Sequence, residues 1–125
     1  MAENSVSVDD MKRFLGCFNT QNLDGIMEYM AEDAVFIAPT GKDSGGRRVE
    51  GAEAIRAYFA KIFENVPDVH FGEDLHWVAG DFGVSEWTLS GTQPDGSPFA
   101  YRGTDHFRFS NGKIVLKDTY QKVIS

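Results

Sequence analysis

Phe99-Ala100-Tyr101-Arg102-Gly103-Thr104-Asp105-His106-Phe107-Arg108-Phe109-Ser110-Asn111-Gly112-Lys113-Ile114 alternates aromatic and polar residues and then breaks at Asn-Gly. In an extended chain alternate side chains share a face. Phe99, Tyr101, Gly103, Asp105, Phe107 and Phe109 therefore lie on one side, and Arg102, Thr104, His106 and Arg108 on the other. The aromatic side is the one to bury. Asn111-Gly112 suits the positive φ angles of a tight hairpin, so the next strand folds back antiparallel.

Outward from this hairpin the pattern repeats. Val69 to Ala79, Phe82 to Thr92, Phe99 to Phe109 and Lys113 to Ile124 are β-like runs. Gly80-Asp81, the Pro94-Asp95-Gly96-Ser97-Pro98 loop and Asn111-Gly112 join them, which predicts a four-strand antiparallel meander. On the second run Trp87, Leu89 and Gln93 share a face. On the last, Ile114, Leu116, Asp118 and Tyr120 do, unless a bulge exchanges the sides.

Upstream the period changes. Ser7 and Asp10 form a capping-box pair, followed by Val8, Met11, Leu15 and Phe18 at helical spacing. Asn22 caps a second helix carrying Leu23, Ile26, Met27 and Met30, after which Val35, Phe36 and Ile37 read as a short strand ending at Pro39. Thr40 to Arg48 is a Gly-rich charged loop placed to cross a pocket mouth. Ala52 to Glu64 is a third helix with Ile55, Phe59, Ile62 and Phe63 on one stripe. The expected architecture is α+β: three N-terminal helices packed on a strongly curved antiparallel sheet, one domain over residues 1–125 with its core at about 8–123.

Composition bounds the function. The 125 residues are enough for one core, and ten Phe, two Trp and four Tyr supply it with large planar side chains. The formal net charge of -7 opposes nucleic-acid binding, which depends on Lys and Arg releasing condensed counterions. Cys17 is the sole cysteine, so no intrachain disulfide forms. With no apolar run of bilayer length and a polar, acidic start, the expected location is cytoplasmic.

Asp105 is the residue that carries chemistry. It is a carboxylate on an aromatic strand face, where burial disfavours its charged form unless donors compensate. Such a group is equally a candidate proton carrier and a structural hydrogen-bond acceptor. Tyr29, Tyr58, Trp87, Tyr101 and Tyr120 offer rings and hydroxyls for a ligand, although aromatics at regular spacing also build plain cores. His70, His76 and Asp74 have the residue types of a metal site, but positions six apart in one strand are too far apart to share an ion. No phosphate-binding glycine loop, dinucleotide fingerprint or recognisable Ser or Cys nucleophile is present, so no cofactor and no metal is expected.

The order of elements, with Gly51-Ala52-Glu53-Ala54-Ile55 opening the third helix and Gly103-Thr104-Asp105-His106-Phe107-Arg108-Phe109 leading to Gly112-Lys113-Ile114, resembles the nuclear-transport-factor-2-like (NTF2-like, cystatin-like) superfamily. Within it the chain is most similar to the SnoaL-like and ketosteroid-isomerase-like branch, over Val8 to Val123. The resemblance implies a cone-shaped fold around a hydrophobic pocket and a homodimer. The family tyrosine and proton-shuttling aspartate of ketosteroid isomerases fall on Phe14 and Ala38, so classical steroid isomerisation is not implied. Their oxyanion-binding aspartic acid matches Asp105. The resemblance to the SnoaL-type polyketide cyclases implies that their acid/base aspartate corresponds to Asp105, whereas the position of their histidine, near the end of the preceding strand, is Gln93 in this chain, a departure from the cyclase pattern.

The function implied is a small-molecule pocket protein, a cofactor-independent isomerase, cyclase or lyase for a hydrophobic cyclic or polyketide-like substrate. Asp105 is its acid/base, and Phe14, Tyr29, Phe36, Tyr58, Trp87, Gln93, Tyr101, Phe107 and Tyr120 shape the pocket. The alternative is a non-catalytic ligand-binding or dimerisation module. The expected partners are a small hydrophobic or aromatic ligand and a second copy of the chain, without nucleic acid or membrane.

Overall fold

In the computed structural model, residues 5–124 are described, and they form three helices and six strands. Helix α1 spans Val8–Asn19, α2 Leu23–Glu28 and α3 Ala52–Asn65. The strands are β1 Met30–Ile37, β2 Arg48–Glu50, β3 His70–Ala79, β4 Phe82–Thr92, β5 Pro98–Ser110 and β6 Lys113–Gln121. They form one sheet in the order β2-β1-β6-β5-β4-β3.

The helices start where their caps are. Ser7 accepts from the Asp10 backbone while the Asp10 carboxylate accepts from Ser7, the reciprocal capping box. The Asn22 side chain accepts from Gly25 N at the start of α2. Helix α1 buries Met11, Phe14, Leu15 and Phe18, and α3 buries Ile55, Phe59 and Phe63. At the end of α1 the Asn19 amide both donates to Phe71 O and accepts from Phe71 N, at 2.9 and 2.7 Å, and so pins the helix to β3.

The meander folds as the turn residues require. Asn111 and Gly112 have φ of 53° and 74° and close a two-residue link between Ser110 and Lys113. Gly80, at φ 62°, lies in the equally short link between β3 and β4. Two features go beyond the expected short strand and four-strand meander. Strand β1 begins at Met30, five residues before the expected Val35, and lies parallel to β6. Arg48 opens β2, which pairs antiparallel with β1, so the Gly-rich segment is the connection of a β1–β2 hairpin. The final strand ends at Gln121, short of the expected Ile124; Val123 and Ile124 are exposed.

Two irregularities reassign faces. On β6, Ile114 pairs with Phe109 and Leu116 with Arg108, so Val115 is an extra residue. Beyond it Lys117 and Thr119 turn inward, and Tyr120 turns outward to 54 % exposure, the reverse of the plain alternation. On β3 the register shifts between Gly72 and Leu75, with Glu73 at φ 51°. His70 is consequently exposed while His76 is buried, although the two share parity along the chain.

The helices cover the inner sheet face, and the core includes Met11, Phe14, Phe18, Ile26, Phe36, Ile55, Phe59, Phe107 and Ile114. The outer face carries Leu75, Trp77 and Tyr120, each about half exposed, beside the Arg102–Glu86 ion pair. Among the described residues no helix is long and apolar enough to cross a membrane.

Candidate active site

A cavity of about 120 Å³ lies between α3, the end of α1 and the inner sheet face. Its walls are largely aromatic: Phe18, Phe36, Tyr58, Phe59, Phe63, Phe71 and Trp87. Pro39 belongs to the rim, while Lys117, Thr119 and Gln121 of β6 form its polar side. Tyr58 stands on α3 with the Arg47 guanidinium 5.5 Å from its ring centre. Of the Gly-rich connection, only Pro39 and Arg47 are in these contacts with the cavity wall.

Asp105 sits behind that polar side and is 1 % exposed. Its two oxygens take three hydrogen bonds. Trp87 Nε1 donates to Oδ2 at 2.9 Å, and Lys117 Nζ and the Thr119 hydroxyl donate to Oδ1 at 3.0 and 2.6 Å. Lys117 also donates to Thr119 Oγ1 at 3.1 Å. A buried carboxylate needs such donors to remain charged, and Lys117 neutralises it.

The strand register brings these groups together. Thr119 is the β6 partner of Asp105, and Ser85 is its β4 partner. Trp87 lies two residues along β4, opposite Gly103. A Cβ on Gly103 would stand 2.4 Å from the indole Cη2 and 2.6 Å from Tyr120 O. The absence of a side chain there lets the indole lie across β5 and reach Asp105.

Lys117 is held on its other side by rings. Its ammonium lies 4.8 Å from the centre of Phe36 and 5.6 and 5.7 Å from Phe18 and Phe59. Phe36 is the β1 neighbour of Lys117 in the parallel pairing, so this cation–π contact follows from the β1–β6 register.

The row continues toward β3. His76 Nδ1 lies 2.7 Å from Ser85 Oγ, and Nε2 lies 2.7 Å from Asp74 Oδ2. The hydrogen bond from His76 holds the Asp74 carboxyl below its ordinary value, against the opposing effect of burial. Asp74 therefore accepts from Nε2–H, and in neutral His76 the Ser85 hydroxyl donates to Nδ1.

Of the residues expected from sequence to shape the pocket, Phe36, Tyr58 and Trp87 line this cavity. Phe14 and Phe107 lie deeper in the core, edge-to-face at 5.9 Å, with Tyr29 against Phe14 at 5.8 Å. Tyr101 stacks on Phe99 toward the far end of β5. Gln93 is in the β4–β5 connection, its backbone N donating to Ser97 O. Tyr120 is on the outer face, stacked obliquely on His106. Lys117 and Thr119 were hidden from the sequence reading by the bulge at Val115; the Lys-x-Thr spacing opposite Asp105 was the available signal.

The fold is that of the NTF2-like class of α+β proteins. The family model of the SnoaL-like domain matches residues 11–117, so the chain belongs to that family. Solved structures agree in fold. A candidate polyketide cyclase from Pseudomonas putida KT2440 superposes with a TM-score of 0.85 at 15% identity, covering 95% of this chain and 93% of the other. A candidate SnoaL-like polyketide cyclase from Jannaschia sp. CCS1 gives 0.79 at 21% identity, over 92% and 84%. An NTF2-like protein of unknown function from Mesorhizobium loti gives 0.76 at 26% identity, over 90% and 88%.

Proposed function

We propose that the chain takes up a small, predominantly apolar molecule in this cavity and acts on it as a cofactor-independent isomerase, cyclase or lyase. The observation that carries the reading is the buried carboxyl group of Asp105, set behind an aromatic cavity and connected to it through the Lys117 amine and the Thr119 hydroxyl. Oxygen charge developing on a ligand would meet the Lys117 ammonium in a desolvated setting, where such stabilisation is strong. Thr119 gives its hydrogen to Asp105 and can take one from the ligand in the same movement, so Asp105 serves as acid/base through one hydroxyl.

Size narrows the substrate. A cavity of roughly 150 Å³ holds benzene, so this partly open pocket of about 120 Å³ suits a single ring or a short chain. A hydrophobic cyclic substrate fits within it, and a larger polyketide-like one would extend past Pro39 and Tyr58 toward solvent.

One observation favours a second reading. Trp87, Lys117 and Thr119 occupy both oxygens of Asp105, as in a purely structural knot, which suits a non-catalytic binding module. Native mass spectrometry of fresh protein, with extraction of any retained molecule and assay of that molecule against Asp105→Asn, separates the two. Turnover lost in a folded, ligand-retaining variant supports catalysis; turnover retained contradicts it.

The outer face with Leu75, Trp77 and Tyr120 is the surface we assign to pairing with a second copy, and its test is the mass in solution. With one cysteine in the chain, the reducing cytoplasm is the assigned place of action.

A further inference from the structure

The geometry points to Lys117 as an amine that forms an imine with a small, neutral, apolar aldehyde or ketone held in the aromatic cavity. This inference rests on the cavity being the ligand site and names the class of ligand.

Three observations lead to it. An ammonium has three N–H donors, and Lys117 directs two at Asp105 and Thr119. One N–H is left over, and Nζ stands 4.8, 5.6 and 5.7 Å from the ring centres of Phe36, Phe18 and Phe59 on the wall of the cavity that Lys117 lines, within reach of a ligand oxygen there. Second, charge selects the ligand. Lys117 and Asp105 already compensate one another, so an anionic ligand would bring an uncompensated charge into an aromatic site, whereas a carbonyl brings none. Third, Asp105 Oδ1 is 3.0 Å from Nζ, within direct reach of the proton that must leave before nitrogen can attack.

The step balances without a further reactant. The ammonium passes one proton to Asp105, and a one-third turn about Cε–Nζ brings the nitrogen lone pair into the cavity. Nitrogen attacks the carbonyl carbon, the C–O π bond breaks toward oxygen, and proton transfer from nitrogen gives a neutral carbinolamine. Asp105 returns its proton to the hydroxyl through Thr119, the C–O bond breaks, and water leaves. The protonated imine then pairs with the Asp105 carboxylate, as the ammonium did. Its positive charge acidifies the carbon next to the former carbonyl, the position at which an isomerase or cyclase of this kind must remove a proton.

The chain has six lysines, and Lys12, Lys42, Lys61, Lys113 and Lys122 are exposed while Lys117 is buried. Surface reactivity and cavity-directed imine formation therefore predict opposite labelling orders. The test is to incubate the intact protein with benzaldehyde and sodium cyanoborohydride near neutral pH, map the benzyl groups by peptide mass spectrometry, and repeat with excess toluene. Toluene occupancy is followed separately by thermal shift.

The expected result is labelling of Lys117 at least about tenfold faster than of any exposed lysine, from proximity in the cavity. Toluene suppresses that labelling, and it is lost on unfolding in urea. Labelling that follows exposure while toluene still binds the cavity overturns the imine and leaves the ligand site standing. Absence of both toluene binding and Lys117 labelling overturns the two together. Lys117→Arg, which keeps the positive charge without an amine able to form the imine, is expected to remain folded and lose the selective label.

Discussion

Strand β5 carries an ion-paired residue on each face, and the two pairs differ in kind. On the inner side Asp105 meets Lys117 with side-chain exposures of 1% and 6%. On the outer side Arg102 meets Glu86 at 2.7 Å with exposures of 39% and 40%. Water screens the outer pair and solvates either partner if the other is removed, so it is worth at most about 1 kcal/mol. Nothing solvates the inner pair except its own neighbours. Its value is conditional: intact, it places a charge beside an apolar cavity; broken, it strands that charge.

The largest effect expected on stability comes from breaking the inner pair. Asp105→Ala leaves the buried Lys117 without its counter-charge and the Trp87 N–H and Thr119 hydroxyl without their acceptor, and should cost about 3–5 kcal/mol, read as a lower urea midpoint. Gly103→Ala comes next. The added methyl strikes the Trp87 indole, moving it off Asp105, for about 1–3 kcal/mol; a change in the Trp87 indole N–H resonance between parent and variant would show the displacement.

A third change gives the effect a pH signature. The Asp74 carboxyl is lowered by His76, so its contribution is full above the unfolded value of about 3.9 and fades as pH falls through its lower folded value. Asp74→Asn should therefore destabilise the protein at pH 6 and converge with the parent in acid. Urea curves at several pH values check this, and a constant difference down to the acid limit would refute it. The smallest effect belongs to the outer pair: Glu86→Gln should change stability by less than about 1 kcal/mol.

Much of this comparison can be read from the chain. Alternation from Phe99 to Phe109 puts Asp105 inside and Arg102 outside, and the turn residues define the meander. Ser7, Asn22 and the apolar stripes mark the helices. The parallel β1–β6 pairing is less visible, because Met30 to Ala34 continues the helical pattern and the contact between β1 and β6 spans most of the chain. Least visible is Val115. A bulge depends on how two strands fit, and the alternate set Ile114, Leu116, Asp118 and Tyr120 is as plausible on paper as the observed one. Lysine also reads as a surface residue unless its partner is known, so half of the inner cluster stays hidden until the register is seen.

The two tryptophans report on the two faces: Trp87 is buried beside the cavity, donating to Asp105, and Trp77 is half exposed on the outer side. Titrating ¹⁵N-labelled protein with acetophenone, a single-ring ketone, and following the two indole N–H signals tests the site directly. The account predicts that the Trp87 signal moves saturably while Trp77 stays in place. Movement of Trp77 alone, or of neither, would contradict it.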